Sequence, residues 1–209
     1  MRVLATNRLR TTSCLALLLA LTVAGGCTSQ LAVSSTADGD QRTGAVPAPS
    51  AAISVPWIEQ KTATECGRAV LASLAARRGG DIEALYQRLP APPDQARGYS
   101  VPEMRRFGSL VGVNLSVQAP AGIVIAGECS PRPAVTAHFS RLADLVSSGS
   151  PVVVPVASGA GAGHYLVLVG AERDGFTVLD PASPGLRWVA TSDLAAYTCD
   201  FGYVALVSR

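Results

Sequence analysis

The hydrophobic positions of this 209-residue chain follow one rhythm up to about residue 149 and another beyond it. Over residues 64–78, Val70, Leu71, Leu74 and Ala75 fall on one helical face among good helix-forming alanines, and Gly79-Gly80 stops the run. A second helix is predicted from Asp81, with Ile82, Leu85, Tyr86 and Leu89 at helical spacing before the proline cluster at 90–93. Ser100-Val101-Pro102-Glu103 reads as a capping box with an early proline, so a third helix runs to about Val111. Residues 113–117 suit a strand, and residues 119–133 read as irregular. Phe139, Leu142, Leu145 and Val146 predict a fourth helix ending near Gly149. The apolar runs at 151–156 and 164–170 then predict strands, and a third strand at 176–179 follows the Arg173-Asp174-Gly175 turn. Strands at 186–189 and 203–207, with a short helix after Thr191, complete the pattern. Helices first and antiparallel strands second make an α+β plan, with N-terminal helices packed on a C-terminal antiparallel sheet.

Residues 1–50 lie outside that plan. Arg2, Arg8 and Arg10 precede a ten-residue apolar core, residues 15–24, too short for a comfortable membrane span, and small residues lead to Cys27. This resembles a bacterial lipoprotein signal, with Ala24 standing where leucine is commonest. It implies a signal peptide over 1–26 and a lipid on Cys27. Residues 27–50 are rich in Ser, Thr, Gly, Pro and Ala without a hydrophobic period, as in a flexible tether. The expected location is the cell envelope, with residues 51–209 as a single domain facing the periplasm or exterior.

Charge narrows the function by exclusion. Without the three n-region arginines, Lys+Arg falls from 17 to 14 against 15 Asp+Glu, and no basic block interleaves with aromatics, so no nucleic-acid partner is expected. Cys14 and Cys27 aside, the domain holds Cys66, Cys129 and Cys199, an odd number for an oxidising compartment. Cys129 and Cys199 both sit in loop-like contexts and are the expected disulfide. Cys66 is then the thiol without a partner.

Cys66 lies at the start of the first helix, where free N–H groups and the positive end of the helix dipole favour a reactive thiol. Thr62 or Thr64 is expected to cap that end, and Gly67 to leave room for close packing. The chain has two histidines. His164 opens an apolar strand after a Gly-rich loop and is the expected base. His138, at a helix start, reads as a capping or surface residue. Asp180 ends the next strand of the hairpin and is the candidate to orient an imidazole acting on a thiol. Gln60, just upstream of the helix, and the Cys66 backbone N–H are candidate donors to an oxyanion. The Gly-rich loop lacks a Gly-Lys-Ser/Thr ending and leads into a strand, so it is not a phosphate site. Two histidines and no Cys-x-x-Cys pair make a metal site unexpected, and no cofactor is implied.

Taken in order, Gln60, Cys66-Gly67, the Gly98 to Met104 segment, the Leu142 to Val154 element, the strand opening at His164 and Asp180-Pro181 resemble the peptidase C39 family of papain-like cysteine peptidases. The resemblance implies a papain-like fold with Cys66 as nucleophile, His164 as base, Asp180 as orienting residue and Gln60 in the oxyanion hole. Arg68 departs from it, standing where the family often has proline. Family members fused to an ATP-driven exporter process leaders in the cytoplasm; the signal and the lack of a phosphate loop point away from ATP-coupled export here. The expected partners are a peptide or protein substrate and a membrane through Cys27, with a separate secretion system as a further candidate. Two rival readings remain: a catalytically silent peptide-binding lipoprotein, and a papain-like cell-wall amidase.

Overall fold

The computed structural model describes residues 52–93, 97–121, 129, 133–157 and 163–209. The signal peptide, Cys27 and the linker expected over 1–50 lie outside these residues, as do most of the irregular segment before Pro133 and residues 158–162. Three helices come first: α1 (Cys66–Ala76), α2 (Ile82–Arg88) and α3 (Val101–Leu110). Strand β1 (Leu115–Gln118) precedes α4 (Pro133–Ser147), then β2 (Val152–Ala157), β3 (Gly163–Glu172), β4 (Gly175–Asp180) and β5 (Ser183–Ala190). Helix α5 (Thr191–Thr198), a 3₁₀ turn (Cys199–Phe201) and β6 (Ala205–Ser208) finish the chain.

Local chemistry accounts for most boundaries. Asp81 caps α2 through its side chain and the Ala84 N–H at 2.7 Å. The capping box on α3 forms: Ser100 accepts from the Glu103 N–H, while the Glu103 carboxylate accepts from the Ser100 N–H at 2.7 Å. Helix α4 starts at Pro133, well before the expected Phe139, because proline at the first helical position has no N–H to lose.

The six strands run β1-β6-β2-β3-β4-β5 with every pairing antiparallel. The sheet is covered on both faces. Val153, Tyr165, Val167, Val169, Leu179 and Leu206 pack with α1, α2 and α3. Their sequence neighbours Val152, Val154, Leu166, Leu168, Val178 and Val207 pack with α4 and α5. This is why β2 and β3 read as continuous apolar runs instead of alternating ones: a strand buried on both sides has no solvent face. The N-terminal helices do pack on the sheet as expected, and α4 and α5 add a second layer.

Two further ties bear on the site. The entry segment is stitched to the sheet by Ile53 N–H to the Val169 carbonyl (2.6 Å) and Gln60 N–H to the Pro181 carbonyl (3.0 Å). The Cys129–Cys199 disulfide forms as expected, with Cα atoms 5.3 Å apart and 70 residues between them in sequence.

Candidate active site

Helix α1 begins at Cys66 after a turn closed by Glu65 N–H to the Thr62 carbonyl (3.2 Å). Neither Thr62 nor Thr64 caps it, contrary to expectation: Glu65 is the N-cap residue, and no side chain bonds the first-turn amides. The Glu65 carboxylate instead accepts from Arg68 Nη1 at 2.7 Å. Arg68 also donates from Nε (3.1 Å) and Nη2 (2.8 Å) to the Tyr86 carbonyl, its guanidinium lying over the Tyr86 ring. Arg68 thus ties α1 to α2 and braces the helix that begins at Cys66. Gly67 is needed where it is, since a Cβ there would come within 2.8 Å of the Met104 sulfur and 3.1 Å of Tyr99.

Cys66 is a free thiol and 2% exposed. Ala69 is the first α1 residue whose N–H bonds back, to Glu65, so the amides of Cys66, Gly67 and Arg68 precede the helical hydrogen-bond ladder. The imidazole of His164, at the start of β3, interacts with the Cys66 sulfur, which favours the protonated ring. Its Nε2 lies 2.8 Å from Asp180 Oδ1 at the end of β4, which leaves Nδ1 as the ring nitrogen for the thiol. Burial alone would hold His164 neutral. The hydrogen bond to Asp180, the nearby Cys66 sulfur and the charges of both outweigh it and raise the imidazole to about 9. Asp180 is buried too, but the His164 bond, the Ala182 N–H on Oδ1 (2.9 Å) and the charges of His164 and Arg187 keep its carboxyl below the usual range. Cys66, His164 and Asp180 therefore form one chain of contacts, drawn from a helix and two adjacent strands.

Gln60 stands nearby in a different state. Its Nε2 donates to the Thr62 carbonyl at 3.1 Å, and its Oε1 is buried without a partner. One Nε2 donor is engaged there, and the buried, unpartnered end of the amide as placed is its acceptor oxygen. His138 is not the surface or capping residue its sequence context suggested: it is 1% exposed within α4, away from this chain of contacts.

A cleft of about 280 Å³ opens beside His164. Tyr99, Val101, Tyr165 and Phe201 give it apolar walls, with Arg97 and Ser100 contributing polar groups. Its largely apolar lining suits an apolar group.

Sequence reasoning overlooked two contributors. Arg187, on β5, donates from Nη2 to Asp180 Oδ2 at 2.5 Å. It stands opposite Val178, two residues from Asp180, so only the strand register reveals the pairing. Phe201 reaches the cleft because the 3₁₀ turn begins at the disulfide-bonded Cys199. The disulfide was expected, but a single turn of 3₁₀ helix leaves no periodic signal.

Comparison with known proteins bears on this arrangement. The fold resembles a Bacillus anthracis protein solved as a C39-like peptidase, at 14% identity and a TM-score of 0.52, over 74% of this chain and 94% of that one. It also resembles the peptidase domain of Streptococcus ComA, a bifunctional ABC transporter of a quorum-sensing pathway, at 16% identity and a TM-score of 0.51, over 75% of this chain and 99% of that one. No protein of curated function matches the sequence. A family model does, over residues 52–200, the span that holds Gln60, Cys66, His164 and Asp180. The chain belongs to the Peptidase C39 like family.

Proposed function

We propose that the domain is a cysteine peptidase that hydrolyses a peptide bond in a secreted or envelope polypeptide. One observation carries this: an imidazole held by a buried carboxylate at 2.8 Å also interacts with a free, buried thiol at a helix start. In the reaction, the Cys66 proton resides on Nδ1 of His164 and the thiolate sulfur adds to the substrate carbonyl. The oxyanion faces the Cys66 N–H and Gln60. For Gln60 to donate, its amide turns by half a rotation, which brings Nε2 into the buried position that Oε1 now holds. The tetrahedral adduct collapses as His164 passes its proton to the leaving amine, forming a thioester. Water then attacks with His164 again as base, releasing the acid and the free thiol. Asp180 holds the ring in place and stabilises the imidazolium between these steps.

The anchoring part of the proposal draws on residues 1–27. A lipid on Cys27 and a location outside the cytoplasm agree with the Cys129–Cys199 disulfide, since such bonds persist in oxidising compartments. A second reading, a peptide-binding lipoprotein without turnover, fits the 2% exposure of Cys66 and the engaged amide of Gln60.

A peptide library and an electrophilic thiol label separate these readings. In the wild type, cleavage and labelling at Cys66 are expected. In Cys66→Ala, labelling of the domain disappears and cleavage falls by roughly a thousandfold or more. Peptide binding with no acyl-enzyme in the wild type selects the silent reading. Cleavage that survives in Cys66→Ala overturns the thiol mechanism.

A further inference from the structure

We propose that Arg187 is a positioning residue of this site, acting on His164 through Asp180 by fixing the plane of the carboxylate and sharing its charge. For turnover the proposal rests on the peptidase reading above; the pairing itself can be read without turnover.

The Asp180 carboxylate has a separate task for each oxygen. Oδ1 accepts from His164 Nε2 (2.8 Å) and from the Ala182 N–H (2.9 Å). Oδ2 accepts from Arg187 Nη2 (2.5 Å). The terminal torsion of an aspartate is broad and nearly two-fold, so a carboxylate held at one oxygen can rock and misdirect the other. An arginine on Oδ2 removes that freedom, because its planar guanidinium binds along a defined direction. The Asp180 backbone is held as well: its carbonyl accepts from Trp57 Nε1 at 2.8 Å. Among the described residues, Arg187 is the donor to the oxygen that faces away from His164.

The second effect is electrostatic. Asp180 sits between two cations when His164 is protonated, and Arg187 takes part of its negative charge. The pull of Asp180 on the imidazolium is weakened accordingly, so the proton remains transferable to a leaving amine. The groups facing His164 set the sign. Cys66 from α1 and Asp180 from β4 favour its proton. Arg97 lines the cleft it borders, while β2 offers Pro155 and the 3₁₀ turn offers Phe201. Arg187 stands behind Asp180 on β5, its side chain half exposed.

The test is an imidazole titration by NMR on the full-length protein. The chain holds two histidines, and His164→Ala assigns their signals. In Arg187→Gln the His164 titration is expected to move up by roughly half a pH unit, the effect of removing one unit charge through a water-like dielectric. In Arg187→Lys, which keeps the charge, it is expected to stay close to wild type. A titration that is unmoved or lowered in Arg187→Gln overturns the proposal, as does the same upward move in Arg187→Lys. Where the wild type cleaves peptide, Arg187→Gln lowers kcat by roughly tenfold with KM kept, and the alkaline limb of its pH profile moves with the NMR titration. A wild type that cleaves nothing removes the peptidase reading alone, because the titration still decides the role of Arg187.

Discussion

His138 and His164 leave the same starting value in opposite directions, and together they shape stability against pH. Neither ring nitrogen of His138 makes a hydrogen bond of ordinary geometry, and burial, partly offset by the Tyr203 backbone, pushes its pKa down. Below about pH 6.5 the unfolded chain takes up a proton there that the folded chain refuses, so stability falls as pH falls. His164 is raised to about 9, so the folded chain holds a proton that the unfolded one has lost above about 6.5. That stabilisation is complete below the unfolded value and disappears as pH climbs through 9. Asp180 enters only in acid, where its lowered carboxyl supports the fold until protonated. Urea midpoints should therefore peak near pH 6.5, falling on the acid side through His138 and on the alkaline side through His164, whose slope approaches about 1.4 kcal/mol per pH unit. His138→Leu flattens the acid side and His164→Ala the alkaline side. A midpoint that keeps rising from pH 6.5 to 9 in the wild type contradicts the His164 contribution.

Among the elements, the loop at 97–99 matters most for its size. Gly98 has φ +72°, and a Cβ there would stand 2.6 Å from the Thr64 carbonyl oxygen, two residues before Cys66. Backbone cannot yield as a side-chain tip can, so Gly98→Ala combines a left-handed strain with a clash and costs roughly 2 kcal/mol or more. Thermal melting reads that cost, and Cys66 labelling rates show whether the approach to α1 has moved; an unchanged melt refutes the packing argument. Gly98 was visible in the sequence only as part of a family-like segment. The helices were legible because Val70, Leu71, Leu74 and their counterparts keep a helical period. The strands were legible as apolar runs, yet the same runs hid the second layer, because a run buried on two faces does not say what covers each. The contacts linking Cys66, His164 and Asp180 could be anticipated from a helix start and one hairpin. Arg187 could not, since its reach to Asp180 depends on a register across β4 and β5 that includes an irregularity between Leu179 and Asp180.

For the whole molecule, the disulfide joins stability to substrate binding. Closing a loop of 70 residues is worth roughly 4 kcal/mol if the bond is unstrained. For a domain of this size that is about 10 °C in melting temperature. Cys199 starts the turn that carries Phe201 to the cleft wall. Reductant should lower the wild-type melting temperature and raise KM, and should change neither in the Cys129→Ala, Cys199→Ala double variant, which already shows both losses. Equal sensitivity in the two proteins refutes the link. The entry segment spans a greater distance: Trp57 bonds the carbonyl of a residue 123 positions later. The thiol arrives early, on α1, while the His164 imidazole and the carboxylate behind it are made near the end, on β3 and β4. A growing or unfolded polypeptide accordingly holds a cysteine with no imidazole beside it. On the peptidase reading proposed above, activity would wait until the late strands close over the early helices, so completing the fold would itself be the safety catch that keeps a half-made chain from cutting its surroundings or itself.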